Sequence, residues 1–341
     1  MDHVTTAPDA AAPGAPAGDE LVAEVQERYA RFARDEAPGR SEVYAEWAAG
    51  VATDSETAAR LARIPATRRQ PPLVFALTRL LGAPLQGFGE WSRWLGAHID
   101  AVVAESARRG LQTNEPLRCA ALLPALSTID GPIALLEVGA SAGLCLFPDR
   151  YSYRYRGERE VSLDPADGVS PVILEAELRG DPPLHMPDIV WRAGIDLDPL
   201  DPRDASDRAF LGTLVWPGER GRAERIEAAL DIAAADPPRI VAGDASDPEV
   251  LRALAAEAPA GATLVVTTPG VLPHIPRAGR DRLLAALEAL PAVWISIDPP
   301  GLHRAWHPPV DPETWGGFVL GCDARPLAAV DPLGAFVEWR A

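Results

Sequence analysis

The stretch LLEVGASAGLC, residues 135–145, carries two chemistries written over each other. Gly139-Ala140-Ser141-Ala142-Gly143 has the G-x-S-x-G spacing of a strand-to-helix elbow that presents a serine hydroxyl as nucleophile. Glu137-x-Gly139-x-x-x-Gly143, after an apolar run, is instead a carboxylate followed by a glycine turn over which a nucleotide-like ligand approaches the backbone. A carboxylate at the end of a strand loses hydration unless it meets a donor, and helix-terminal amides or an amino-acid ammonium would serve. Two phosphate-binding fingerprints fail. The dinucleotide pattern G-x-G-x-x-G needs glycines where Ser141 and Leu144 stand, and no Gly-Lys-Ser/Thr ending makes a P-loop.

Other residues suited to chemistry lie downstream. His274 follows an apolar strand between Pro273 and Pro276 and is the first candidate for a general base; Glu115 and Asp298 come next. Gln112-Thr113-Asn114-Glu115 is polar in an otherwise apolar helical region, so it either faces a pocket or caps a helix through Thr113 or Asn114. His303 and His307 have helical ligand spacing, but Pro299, Pro300, Pro308 and Pro309 crowd them and no third ligand accompanies them. No metal site is expected. Cys119, Cys145 and Cys322 show no ligand or C-x-x-C pattern and read as buried thiols of a reducing cytoplasm.

The elements that must position these residues divide the chain in two. From 19 to about 130 the periodicity is helical: Leu21, Val22, Val25, Tyr29 and Phe32 form one stripe, Ser41 is an N-cap, and Trp91, Leu95, Ile99 and Val102 form another stripe. Five or six helices are expected there. From 131 to 341 short apolar runs alternate with helical stretches. Strands are expected at 133–140, 189–198, 239–245, 262–268 and 292–298, with helices over 207–235, 248–257 and 277–290. Such alternation implies a parallel sheet with helices on both faces. Turns at 323–325 and 331–334 predict an antiparallel end, and a β-rich insertion at about 150–188 is expected to form a flap over the pocket. The first 18 residues, rich in Ala, Pro and Gly, read as a disordered tail.

Composition narrows the partners. With 49 acidic against 32 basic residues and a net charge of −17, the chain of 341 residues has no electrostatic footprint for nucleic acid. No apolar run spans a bilayer and no secretion signal opens the chain, so no membrane contact and a cytoplasmic location are expected. Nothing here specifies an oligomeric state. The expected partner is a small-molecule substrate.

LLEVGASAG resembles motif I of the class I S-adenosylmethionine-dependent methyltransferases, with Ser141 in place of the middle glycine of that loop. The later strands resemble that superfamily's Rossmann-like, mostly parallel seven-stranded sheet. LQTNEPLRCAALLP, LLEVGASAGLCLFPDRYSYRY, IDLDPLDPRD and LVWPGE resemble more closely a bacterial family catalogued as domain of unknown function 2332, which carries no established activity. The superfamily resemblance implies S-adenosylmethionine as cofactor: Glu137 toward its ammonium, Gly139, Ala140, Ser141 and Gly143 beneath its methionine part, Asp196 or Asp198 on the ribose, and Asp244 with Ala245 beside adenine. The implied activity is methyl transfer to a small molecule. Two alternatives stay open. An α/β-hydrolase-like esterase would use Ser141 with Asp298 and a histidine, although its elbow belongs deeper in a sheet; a non-catalytic cofactor-binding or interaction protein would use the helical part as its surface.

Overall fold

The computed structural model describes residues 18–302 and 306–341. Residues 1–17 of the expected tail, and His303, lie outside these. The chain divides into two compact units, Met1–Leu111 with Trp216–Glu219 and Gln112–Val215 with Arg220–Ala341.

The first unit contains five α-helices among its described residues: α1 (Gly18–Asp35), α2 (Glu42–Thr53), α3 (Ser55–Leu61), α4 (Pro71–Leu80) and α5 (Phe88–Arg108). Starts follow local chemistry. Ser41 caps α2 by accepting the Tyr44 amide, and Asp54 caps α3 by accepting those of Glu56 and Thr57. The apolar stripes bury Val25, Tyr29 and Phe32 from α1 and Trp91, Leu95, Ile99 and Val102 from α5 in one core. Trp47 and Trp91 stack there with centroids 5.1 Å apart, and each indole N–H has a partner, Gln86 O at 2.7 Å and Thr78 Oγ1 at 3.0 Å. Trp216 completes this core against Phe32 and Tyr44, with the Arg40 guanidinium 3.7 Å above its ring.

The second unit carries α6 (Arg118–Leu126), then β1 (Pro132–Val138), β2 (Ser152–Gly157), β3 (Val161–Leu163), β4 (Ile173–Arg179) and β5 (Asp188–Asp196). It continues with α7 (Ala205–Leu214), α8 (Arg222–Ala235), β6 (Arg239–Ala242), α9 (Pro248–Ala255), β7 (Thr263–Pro269), α10 (Arg277–Glu288), β8 (Val293–Asp298), β9 (Phe318–Cys322), β10 (Arg325–Val330) and β11 (Phe336–Trp339). The eleven strands among the described residues form one sheet in the order β3-β2-β4-β11-β10-β9-β8-β7-β1-β5-β6. The segment β6-β5-β1-β7-β8 is wholly parallel, and strand order reverses between β1 and β7. In an open α/β sheet that reversal leaves a crevice at the carboxyl ends of the strands, the usual ligand position.

Four expectations change. The sheet has eleven strands rather than seven, because β2, β3 and β4 do not fold over a pocket: β4 pairs in parallel with β11 through Phe336↔Glu177 and Val337↔Leu178, and β2 and β3 extend the sheet beyond it. The helical unit ends at Leu111 rather than 130, since α6 packs on β4, β9 and β11. The helix expected over 207–235 is two, α7 and α8, parted where Pro217-Gly218 turns and Trp216–Glu219 joins the other unit. Finally, no helix opens at the glycine turn; a short 3-10 turn at Leu144–Leu146 leads toward β2.

Side-chain alternation along β1 sets up the site. Leu136 and Val138 enter the core shared with Leu251, Leu254, Leu283 and Leu287 of α9 and α10, so Glu137 points to the opposite face.

Candidate functional site at the carboxyl ends of the strands

Beyond β1 the chain turns through two left-handed glycines, Gly139 at φ 78° and Gly143 at φ 76°, with Ser141 left-handed between them at φ 53°. A Cβ on Gly139 would stand 2.5 Å from Val271 Cγ2, and one on Gly143 would stand 2.8 Å from Pro238 Cγ. Glycine is therefore required twice over, by conformation and by space.

Every amide of this turn is satisfied inside the fold. Gly139 and Ala140 donate to Ile195 O, Gly143 to Ala140 O, Ser141 to Asp196 Oδ2 at 2.8 Å, and Ala142 to Asn114 Oδ1 at 3.2 Å. The loop thus offers no nest of free N–H groups to a phosphate. A ligand at this turn would meet side chains rather than free amides.

Glu137 is the carboxyl group beside the turn that the fold leaves short of a partner. It is buried at 3% exposure, and its Oε2 has no hydrogen-bond partner among the described residues. Burial pushes its pKa well up, with Cys145 and Asp196 adding to the rise and Arg118 opposing it. Such a carboxyl either holds its proton or waits for a donor to replace lost water.

The other expected site residues are placed as follows. Asp196, the last residue of β5, accepts the Ser141 amide on one oxygen and the Asp198 amide on the other, at 2.9 Å, so it fastens the glycine turn to the neighbouring strand. Asp198 is exposed, and its carbonyl accepts from Gln112 Nε2 at 3.0 Å. Asp244 is exposed beyond β6 and accepts the Ser246 amide at 2.8 Å; Asp247 caps α9, and Ala245 is buried in the α9/α10 core. Asp298 ends β8 fully buried. His274 sits on the exposed end of a short 3-10 turn after β7, where partial desolvation and then Arg118 lower its pKa. Both effects favour the neutral imidazole.

The segment 112–115 faces the loops rather than capping a helix. α6 begins at Arg118, while the Asn114 amide spans the glycine turn, donating to Ser141 Oγ and accepting from Ala142. No histidine or carboxylate among the described residues bonds to the Ser141 hydroxyl. Glu115, 1% exposed, lies between two guanidinium groups, Arg222 Nε at 2.7 Å and Arg225 Nε at 2.9 Å, and also accepts the Leu117 amide at 3.0 Å.

Sequence reasoning missed Arg118 and Gly194. A Cβ on Gly194 would meet Ala140 Cβ at 2.4 Å, so β5 can pass under the turn only as glycine; an apolar strand interrupted by glycine was the available signal. His307 donates its amide to Ala324 O, and no group of three or more potential metal ligands occurs among the described residues. No described helix is long and apolar enough to cross a membrane.

Residues 26–339 match the family described as "uncharacterized protein conserved in bacteria (DUF2332)", and the chain belongs to that family. No curated protein and no solved structure matches it.

Proposed function

We propose that this chain binds S-adenosylmethionine at the carboxyl ends of β1, β5 and β7 and transfers its methyl group to a small molecule. The observation that carries the reading is Glu137: a buried carboxyl with a partnerless oxygen, on the strand where sheet order reverses. The residues there suit a cationic ligand, because the loop amides are occupied while Glu137 and Asp196 place two carboxyl groups on adjacent strands, and a cation would favour the ionised form of Glu137.

When bound, the cofactor supplies a sulfonium-activated methyl group. This chain's residues do the rest. Glu137 accepts from the ligand's ammonium, Asp196 keeps the glycine turn rigid, and His274, whose neutral form is favoured by burial and Arg118, removes a proton from the acceptor where one must leave.

Calorimetric titration of S-adenosylmethionine and S-adenosylhomocysteine into the full chain tests this reading. Binding that weakens at least tenfold in Glu137→Gln is expected, since charge-assisted hydrogen bonds are worth roughly 1.5–3 kcal/mol. Equal affinity in both proteins, or no binding to the native chain, refutes it. With an acceptor in hand, His274→Ala should bind normally and turn over roughly a hundredfold more slowly; slowing of less than about tenfold makes His274 a bystander.

One observation favours a hydrolytic alternative, the left-handed backbone of Ser141, a strained conformation of the kind concentrated at functional sites. Covalent labelling of Ser141 by a fluorophosphonate would establish it and displace the methyltransferase reading.

A further inference from the structure

Arg118, the first residue of α6, is held at the same crevice by backbone alone. Its Nε donates to Pro332 O at 2.9 Å, in the turn between β10 and β11, and its Nη1 donates to Pro269 O at 2.9 Å, the last residue of β7. Its Nη2 lies beside Gly270, where a Cβ would approach it to 3.0 Å. Among the described residues no carboxylate pairs with this guanidinium. It is nevertheless half-buried, and its charge acts on Glu137, Cys145 and His274.

A guanidinium pinned by two carbonyls cannot swing to find a partner, so its remaining N–H groups are aimed before any ligand arrives. A desolvated cation without a counter-ion is costly to keep and is stabilised by an anion that completes it. The chemistry of that anion is limited by the surroundings. One planar fork matches the two oxygens of a carboxylate, whereas a phosphate would need further donors, and the amides from Gly139 to Gly143 are all engaged.

We infer that Arg118 is the anchor for a carboxylate of the ligand bound at the β1/β7 switch point. This deepens the methyltransferase reading and rests on its placing of the ligand there. The carboxylate has two possible sources: the amino-acid end of the cofactor, which would put ammonium on Glu137 and carboxylate on Arg118, or an acidic acceptor lying beside His274.

The test compares the native chain with Arg118→Met and Arg118→Lys, using two probes that differ only in the carboxylate, S-adenosylmethionine and decarboxylated S-adenosylmethionine. If the cofactor is the source, Arg118→Met weakens the first roughly ten- to hundredfold and the second by less than about twofold, with Arg118→Lys in between. If the acceptor is the source, both probes bind all three proteins alike. Small aliphatic and aromatic carboxylates then raise the unfolding temperature of the native chain loaded with S-adenosylhomocysteine, but not that of the loaded Met variant.

A merely structural Arg118 would lower stability and shift both probes by one factor, with no carboxylate effect, and that result overturns the inference. If no adenosyl compound binds the native chain, the cofactor reading fails by itself. The carboxylate series on the unloaded chain then decides Arg118 alone: Arg118-dependent stabilisation keeps the anchor, and its absence removes it.

Discussion

Glu115 and Glu137 are both buried acids at the centre of the sheet unit, yet they are treated in opposite ways. Glu115 is enclosed by Arg222, Arg225 and the Leu117 amide, so its charge is answered within the fold. Glu137 has Arg118 near enough to feel its field, but the two make no ion pair, and the guanidinium is tied to carbonyls instead. The difference separates structure from recognition. A closed charge cluster holds elements together, whereas an open pair of opposite charges keeps desolvated groups ready for a ligand that bears both signs.

The largest effect is expected on the closed cluster. Glu115→Ala removes the buried carboxylate that Arg222 and Arg225 share and should lower stability by about 3–5 kcal/mol, read as a shift in the urea midpoint. A midpoint within error of the native one would mean that Glu115 is no more structural than Glu137 and would erase the contrast.

Gly139→Ala comes next. The added Cβ meets Val271 at 2.5 Å and the backbone is left-handed, so a loss of about 2–3 kcal/mol is expected. Pairing it with Val271→Ala sharpens the assignment: the steric share should return while the conformational share, about 1–2 kcal/mol, persists.

Glu137→Gln should behave unlike either. The folded-state pKa of Glu137 lies above its ordinary value near 4.5, so between those two values the folded chain holds more protons than the unfolded one, and native stability falls as pH rises through that window. Glutamine cannot ionise. The difference between variant and native protein should therefore shift in the variant's favour as pH rises from about 4 to neutrality, measured by thermal melts across pH. A variant less stable than the native chain at pH 7 would show that Glu137 has a hidden partner and that the open pair is closed. On the proposed function an ammonium group meets the ionised carboxylate, so native affinity for S-adenosylmethionine should rise with pH across the same window and be flat in the variant.

Ser141→Ala is the smallest. It frees the Asn114 amide from one bond but leaves that side chain its contact with Ala142, so a change of about 1 kcal/mol or less is expected, with ligand affinity kept.

Much of the frame was legible because it is written in local periodicity. Leu136 and Val138 alternate with Glu137 in one strand, Val25, Tyr29 and Phe32 recur at helical spacing, and Ser41 stands where a cap must; each needs only neighbours in the chain. Glycines at 139 and 143 announced a turn because few other residues tolerate that backbone. What the 152–179 strands would join was not legible, since β4 finds its partner in β11, at the far end of the chain. The same holds for charge. Glu115 and Glu137 are both acids next to apolar runs, and nothing local says that Arg225, 110 residues on, will reach the first while Arg118, close in sequence to both, stays bound to Pro269 and Pro332. The sequence by itself determined which residues are acidic, which turns need glycine and which stretches become strands. Only the tertiary structure decided which acid is answered and which is left open, because desolvation and pairing are set by groups that folding brings together from distant parts of the chain.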